Sequence, residues 1–342
     1  MGDPSLNFSR AAPRHLVHRQ SIAEVFVTEV LRSGPDSFVA GVQWPRRHAV
    51  FSAPMTRLDS HLVAETIRQL TIVLCHLEYG VPLGARFLMP SLGLTIEPGA
   101  ETEFSNALPA NCTVFLHGEG IERKRSGELR SIRVRTDFQR NGQVVGRGHG
   151  DATLATEGVY RRLRGTAIDN MSPAWPRREL DVLPPRLVGH LSTSDVVLSA
   201  GTVKNKWPLT VDTSNTVYFD HPLDHIPGIL AVEAMRQAIR VASMMPEAEL
   251  AFFEATFLHV LEFDSLAVVQ LTESDDLFHM KIVQFGRTAV HAVAGLHAAR
   301  VSVSGRLGPA VSVLRTGNPW PQSRAGESPT SLEPAATGHR AQ

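Results

Sequence analysis

An internal repeat is the feature that most limits how this chain can fold. Residues 16–29 (LVHRQSIAEVFVTE) resemble residues 187–200 (LVGHLSTSDVVLSA), and residues 62–73 (LVAETIRQLTIV) resemble residues 230–241 (LAVEAMRQAIRV). The two matches occur in the same order and at a spacing of roughly 170 residues, far longer than the unit of a solenoid. The repeat therefore predicts two copies of one domain in a single polypeptide.

Each half shows the same order of predicted elements, in which two strand-like runs precede a loop and then one long apolar helix. The runs are 25–30 and 38–45 in the first half, and 196–202 and 209–220 in the second. The helices are predicted at about 60–79 and 228–245. Apolar residues cover more than one face of the second helix, which predicts a helix that is enclosed on most sides.

Alternating strands follow each helix. They are 112–123, 129–140 and 143–156 in the first half, and 266–274, 277–286 and 288–303 in the second. Period-two alternation with glycine-bearing turns favours antiparallel hairpins. One long helix followed by an antiparallel sheet that curls around it is the hotdog arrangement. We therefore predict an α+β fold, a tandem (double) hotdog, with the two sheets paired edge to edge into one continuous sheet.

Composition shifts divide the predicted domains. A short polar N-terminus (1–14) precedes the first hotdog (15–157), and a polar stretch rich in proline and arginine (158–186) connects it to the second (187–305). The remaining segment (306–342) is rich in Pro, Gly, Ser and Ala, which is typical of a disordered tail.

Charge and cysteine content exclude several classes of function. The chain has 34 basic and 34 acidic side chains, so a nucleic-acid or anionic-membrane partner has no support. Cys75 and Cys112 are far apart and predict neither a zinc site nor a disulfide. No signal peptide, apolar membrane span, metal-ligand set or dinucleotide motif is visible. We expect a cytoplasmic protein without a cofactor or a metal.

The segment DHPLDHIPGILAVEAMRQA (220–238) carries the most chemistry. His221 and His225 precede the second helix, and each follows an aspartate that can orient an imidazole. Gly228 opens the helix, where an unpaired N–H can hold the carbonyl oxygen of a thioester under attack. Glu233 lies one turn further, where burial predicts a raised pKa and a role as general acid or base.

Structural roles compete with these functional ones. Histidine and aspartate are common in turns, and aspartate can cap a helix. Glu65 and Arg68 lie three residues apart, as do Glu233 and Arg236, so each pair can form an internal salt bridge on one helix face. Duplication would carry such a pair into both halves, so its recurrence does not decide between the roles.

Two families resemble the chain. The run PGILAVEAMRQ (227–237) resembles the helix start of the β-hydroxyacyl-carrier-protein dehydratases, which are hotdog enzymes. Residues from about 16 to 304 are more similar to the A-factor (γ-butyrolactone) biosynthesis hotdog family, through LVHRQSIAEVFVTE, QWPRRHAVFS, ETIRQ, EYGVPLG and DHPLDHIPGILAVEAMRQA. Dehydratases have a small residue where this chain has Arg236, and ungapped alignment places Phe219 at their histidine.

The second resemblance implies an acyltransferase. Members of that family transfer a β-ketoacyl group from acyl carrier protein to the hydroxyl of dihydroxyacetone phosphate, and the ester closes to a precursor of γ-butyrolactone signals. The family's proposed functional residues fall on Glu65, Glu233 and Arg236, and an arginine suits the phosphate. We expect catalytic roles for Glu65, Glu233, His221 and His225. We expect substrate contacts from Arg68, Gln69, Arg236, Gln237 and Gly228.

Hotdog sites form between two copies, so the loop of one half should face the helix of the other. The first predicted site combines a glutamate with the second-half loop: Glu65, His221, His225 and the Gly228 amide. The second combines the other helix with the first-half loop: Glu233, Arg236, Arg57, Arg46, Arg47 and His48. The residues alone do not rank the two sites.

Two other functions remain open. The chain could be a dehydratase or thioesterase on carrier-protein thioesters, in which case Arg68 and Arg236 would be dispensable. It could also be a non-catalytic hotdog that senses an acyl or lactone ligand, although the chain shows no helix-turn-helix with a basic face. A monomer, paired only within itself, is compatible with the sequence.

Overall fold

The structure, a computed structural model, describes residues 6–51, 58–100, 108–169 and 181–297. Within these ranges, the first half forms β1 (Val27–Gly34), β2 (Ser37–Trp44), α1 (Ser60–Glu78), β3 (Arg86–Leu88), β4 (Ser91–Ile96), β5 (Ala110–Arg123), β6 (Leu129–Arg140) and β7 (Gln143–Ala155). A short helix, α2 (Glu157–Arg164), follows. The second half forms β8 (Lys206–Pro208), α3 (Gly228–Ser243), β9 (Leu250–Phe257), β10 (Val268–Ser274), β11 (Leu277–Gln284) and β12 (Arg287–Leu296).

One antiparallel sheet runs through both halves. Its strand order is β1-β2-β5-β6-β7-β4-β9-β12-β11-β10-β8, and β3 pairs with β7. The halves meet where β4 pairs with β9, in a register that runs from Ser91 opposite Thr256 to Thr95 opposite Phe252. The prediction of a continuous sheet made by edge-to-edge pairing is confirmed, and the fold is a double hotdog.

Each half encloses one long helix, as predicted. Helix α1 packs against β4, β6 and β7, and α3 packs against β9, β10 and β11, while the two helices also contact each other. Every residue of α1 except Arg68, Leu77 and Glu78 is buried. Asp59 caps α1, because its carboxylate accepts hydrogen bonds from the N–H groups of His61 (2.7 Å) and Leu62 (3.1 Å). Charged side chains on these enclosed helices must therefore find partners inside the protein.

The predicted strands at 196–202 and 209–220 are wrong. Only isolated bridges form there, between Val182 and Ser199 and between Leu198 and Leu209, besides the short β8. Downstream, Asn215 folds the chain back by accepting a hydrogen bond from the N–H of Val217 at 3.0 Å. Such local side-chain bonds compete with the hydrogen bonding of a sheet.

The beginning of the predicted connector forms α2, a helix that the sequence did not lead us to expect. Tyr160 and Arg164 of this helix are buried against the second half. The predicted tail (306–342) lies outside the described residues. None of the helices in the described ranges combines the length and the apolar character needed to cross a membrane.

Candidate active site

In each half, a glutamine joins the helix glutamate to the chain segment that precedes the sheet. Gln69 Oε1 accepts a hydrogen bond from the N–H of Phe26 (3.0 Å). Gln69 Nε2 donates to the Glu24 carbonyl (2.7 Å) and to the Glu65 carboxylate (2.8 Å). Gln237 Oε1 accepts a hydrogen bond from the N–H of Val197 (3.0 Å). Gln237 Nε2 donates to the Asp195 carbonyl (2.9 Å) and to the Glu233 carboxylate (2.9 Å). Both amides, which were predicted to contact substrate, thus hold the glutamates in place.

Glu233 is the centre of a buried polar cluster between the halves. Its Oε1 lies 2.7 Å from His190 Nε2 and accepts a hydrogen bond from Gln237. Its Oε2 accepts a hydrogen bond from Arg236 Nε at 2.9 Å and lies 3.0 Å from His61 Nδ1. The Glu233 side chain is fully buried. Since His61 belongs to α1 and the other partners belong to the second half, the cluster lies where the two hotdogs meet.

The expected rise in the pKa of Glu233 is wrong. Burial alone would raise the pKa, but the charge of Arg236 and the contacts with His190 and His61 hold it well below its usual range. Glu233 is therefore ionised at neutral pH. An ionised carboxylate with this many partners is suited to orienting histidines rather than to taking up a proton itself.

Arg236 connects the two helices. Its Nη1 donates to Asp59 Oδ2 at 2.9 Å and to Glu249 Oε1 at 3.3 Å, while its Nε binds Glu233. Arg240 shares Glu249, at 2.6 Å. Only 1% of the Arg236 side chain is exposed. Arg236 was predicted to bind a phosphate, but its Nε and Nη1 donate to three carboxylates of the protein, so it holds the cluster together.

Aromatic rings cover one side of the cluster. The rings of His48, Phe51 and His61 stack in sequence, with centroids 4.4 Å and 4.3 Å apart. Tyr218 approaches the same stack, 6.3 Å from the His61 ring. His48, which was predicted to lie near Glu233, is connected to it through the stacked rings of Phe51 and His61. Its Nε2 is 3.2 Å from Glu24 Oε2.

Glu65, the counterpart of Glu233 in the first half, is held by two arginines. Arg19 Nη2 lies 2.8 Å from Glu65 Oε1, and Arg68 donates from Nε and Nη2 to both carboxylate oxygens, each at 2.8 Å. Burial would raise the pKa of Glu65, but the arginines lower it far more. The arrangement favours a structural ion pair over a general base.

The predicted partners of Glu65 are only partly brought together. His221 Nδ1 lies 2.5 Å from Asp220 Oδ1, and Asp220 in turn lies 3.8 Å from Arg19 Nη1. His221 thus reaches Glu65 only through Asp220 and Arg19. The pKa of Asp220, which burial would raise, is lowered by His221 and Arg19.

The structure does not bring His225 to Glu65, whereas the predicted contact of the Gly228 amide with a thioester stays a prediction. His225 Nδ1 lies 2.6 Å from Asp224 Oδ1, and the same carboxylate accepts a hydrogen bond from the Tyr160 hydroxyl at 2.8 Å. Arg164 completes this group with a bidentate pair to Glu262, at 2.7 and 2.9 Å. These contacts turn His225 towards α2 rather than towards Glu65. Gly228 is exposed at the start of α3.

Of the three remaining arginines of the predicted second site, the structure describes two. Arg46 and Arg47 are exposed, and Arg57 lies outside the described residues. The positive charge of the Glu233 cluster comes instead from Arg236 and Arg240, both of which belong to α3.

Sequence reasoning missed His61, His190 and Arg19. His190 and Arg19 occupy the same position of the repeat, in LVGHL and LVHRQ, and each contacts the glutamate of its own half. The available signal was this shared position. In both halves a basic residue stands there, separated by one residue from an aligned leucine–valine pair. His61 carries no comparable signal, because its partner Glu233 is distant in sequence.

Comparison with known proteins decides the family. The model of one protein family, the A-factor biosynthesis hotdog domain, matches residues 3–156 and 172–282. The chain belongs to this family. The resemblance seen in the sequence is therefore confirmed, and the family description names the hotdog fold that each half of the chain forms.

Two relatives of this A-factor family protein carry the name of a synthase. A 2-oxo-3-(phosphooxy)propyl 3-oxoalkanoate synthase of Streptomyces virginiae is 38% identical over 226 residues, which cover 66% of this chain and 75% of that protein. A synthase of the same name from Streptomyces coelicolor is 31% identical over 268 residues, covering 76% and 81%. Among solved structures, the 12:0-ACP thioesterase from Umbellularia californica has a TM-score of 0.46 and 11% identity, covering 78% of this chain and 99% of that one.

Proposed function

We propose that this protein is a 2-oxo-3-(phosphooxy)propyl 3-oxoalkanoate synthase in the biosynthesis of a γ-butyrolactone or a related butenolide signal. It moves a β-ketoacyl group from acyl carrier protein to the hydroxyl of dihydroxyacetone phosphate. The observation that carries the proposal is the synthase name shared by relatives 31–38% identical over most of their length. The double hotdog supports it, because the fold encloses polar groups beside two helices where a thioester can be held apart from water.

We place acyl transfer at the Glu233 cluster. This cluster combines an ionised carboxylate with two histidines, whereas both carboxylate oxygens of Glu65 are bound by arginines, Arg19 and Arg68. Histidine can take up and return a proton near neutral pH, and a guanidinium cannot. The Glu233 side therefore supports proton transfer from an acceptor hydroxyl, and the Glu65 side supports the fold.

A phosphate contact fits Arg68 better than Arg236. The Arg68 side chain is 19% exposed, against 1% for Arg236. Its hydrogen bonds to described residues come from Nε and Nη2, which leaves Nη1 for a ligand. Arg68 lies two turns along α1 from His61 and on the same helix face, a rise of about 10 Å. The Arg68 guanidinium reaches back one turn to Glu65, which shortens the gap to His61 towards the length of an acceptor whose hydroxyl reaches the cluster while its phosphate meets Arg68.

The test is mass spectrometry of the purified protein with a β-ketoacyl carrier-protein thioester and dihydroxyacetone phosphate. We expect an ester or butenolide phosphate that requires both substrates. Dihydroxyacetone, which lacks the phosphate, is the control acceptor. The Arg68→Gln variant should have a higher KM for dihydroxyacetone phosphate and an unchanged KM for dihydroxyacetone. Hydrolysis or dehydration of the thioester alone would replace the proposal with a thioesterase or dehydratase. Ligand binding without turnover would favour a sensor.

A further inference from the structure

Two side chains beside Glu233 carry buried polar atoms that have no hydrogen-bond partner among the residues that the structure describes. They are Tyr218, through its hydroxyl, and His61, through both ring nitrogens, and the His61 side chain is fully buried. Nδ1 of His61 lies at ion-pair distance from Glu233 but off the line of a hydrogen bond. Buried polar groups in native proteins are almost always satisfied, and exceptions mark functional sites or places for a ligand.

We propose that His61 is the base that deprotonates the acceptor hydroxyl and that Tyr218 donates the hydrogen bond that stabilises the oxyanion. This inference rests on the proposed function and deepens it, because it names the groups that touch the reacting atoms. Glu233 then becomes a positioning residue. Its carboxylate, 3.0 Å from Nδ1 of His61, favours a proton on that nitrogen and leaves a lone pair on Nε2.

The surroundings of His61 keep the ring neutral. Burial lowers its pKa, and the nearby Arg236 charge lowers it further, against the opposing effect of Glu233 and Asp59. The titratable and charged groups that face it are Glu233, Arg236, Asp59, Tyr218, His190 and, beyond Phe51, His48. A neutral imidazole is ready to accept a proton throughout the neutral range.

Tyr218 meets the complementary requirement. Burial holds the pKa of its hydroxyl well above the usual value, so the group stays a donor. Two neighbouring bonds fix its backbone, since Asn215 Oδ1 accepts the N–H groups of Val217 (3.0 Å) and Tyr218 (3.3 Å). A donor that is already in position before reaction is the kind of group that stabilises a developing oxyanion.

The proposed step balances with these two groups alone. Nε2 of His61 takes the hydroxyl proton as the acceptor oxygen bonds to the thioester carbon, and the carbonyl electron pair moves onto oxygen, which Tyr218 binds. When the intermediate collapses, the carbon–sulfur bond breaks. The leaving thiolate takes the proton from Nε2, and the ring returns to its neutral state.

The first test is Tyr218→Phe. An unpaired hydroxyl contributes nothing to the folded state, so we expect an unchanged or higher Tm together with a loss in kcat of about 100-fold. Tyr79→Phe is the matched control, because the Tyr79 hydroxyl donates to Asp36 at 2.9 Å near the far end of α1. That variant should lose some stability and keep its kcat. A Tyr218→Phe variant with a lower Tm and a normal kcat would overturn the proposal.

The second test is His61→Asn, with the exposed His117→Asn as control. We expect His61→Asn to lower kcat by roughly 100-fold or more while the control is unaffected. In the wild type, the acid limb of the kcat/KM profile should lie below pH 6.5, and Glu233→Gln should move it lower, because the carboxylate raises the pKa of His61. If the wild type forms product and a folded His61→Asn variant has normal kinetics, the inference about His61 is wrong while the proposed function stands. Absence of product from the wild type would instead remove the proposed function.

Discussion

Arg19 and His190 occupy equivalent positions of the two halves and contact equivalent glutamates. Arg19 Nη2 lies 2.8 Å from Glu65, and His190 Nε2 lies 2.7 Å from Glu233. The duplication has thus kept the position of a basic partner and changed its chemistry. A guanidinium stays charged at every accessible pH, while an imidazole can exchange a proton. Under the proposed function, this difference, together with His61, distinguishes a structural site at Glu65 from a reactive one at Glu233.

Removal of Arg19 should destabilise the protein more than it affects catalysis. Arg19→Met leaves Glu65 buried with one arginine fewer, and loss of one partner from a buried ion pair costs about 3–5 kcal/mol. Urea unfolding measures this cost. The control is Arg32→Met, since Arg32 forms a half-exposed pair with Glu78 and should contribute less than about 1 kcal/mol. Equal effects of the two variants would contradict the structural role of Arg19.

The contribution of the seam between the halves, where β4 pairs with β9, to the free energy of unfolding should depend on pH. His149 Nε2 of β7 lies 3.1 Å from Glu254 Oε2 of β9, and this pair passes over Gly93 of β4, where a Cβ atom would overlap both side chains. Burial would lower the pKa of His149, but Asp151 and Glu254 raise it.

Because the folded pKa of His149 is raised, its stabilising effect is complete below pH 6.5, the unfolded value, and disappears as pH rises through the folded pKa. Glu254 is partly exposed, so the effect should be at most about 1 kcal/mol. Unfolding free energies of the wild type and His149→Gln should differ more at pH 5.5 than at pH 9. A constant difference across that range would show that the pair does not titrate with folding.

Helix α2 should anchor the connector through Arg164. Only 1% of this side chain is exposed, and it binds Glu262 and the carbonyl of Asp224 (2.6 Å). Arg164→Met should lower the unfolding free energy by roughly 3 kcal/mol because a partly buried carboxylate loses its partner. Arg162→Met, an exposed neighbour on the same helix, should change it by less than about 0.5 kcal/mol. If both variants unfold alike, α2 is not an anchor.

Local pattern was sufficient to predict most of the fold. Helices α1 and α3 and strands β5–β7 and β10–β12 follow from apolar periodicity, which depends on neighbouring residues only. Strands β4 and β9, which join the two halves, were not predicted. The region from 196 to 220 escaped prediction because β-branched residues suggested strands there, whereas the chain turns on side-chain bonds from residues such as Asn215.

The candidate site was predictable only in part. Glu233 and Arg236 stood out because charged side chains on an apolar helix need a reason. His61 did not, since its relation to Glu233 arises only when the two halves pack. The direction of the Glu233 pKa shift was mispredicted for the same reason: burial can be inferred from sequence, but the number of cationic partners cannot.

The most direct test of the account compares two glutamates in a single turnover. Glu233→Gln and Glu65→Gln are each mixed with one equivalent of β-ketoacyl carrier-protein thioester and excess dihydroxyacetone phosphate, and the rates are normalised to folded protein. We predict a fall of roughly 100-fold or more for Glu233→Gln and a nearly normal rate for Glu65→Gln, even if the latter is less stable. A normal rate for Glu233→Gln with an inactive, folded Glu65→Gln would contradict the placement of acyl transfer at Glu233.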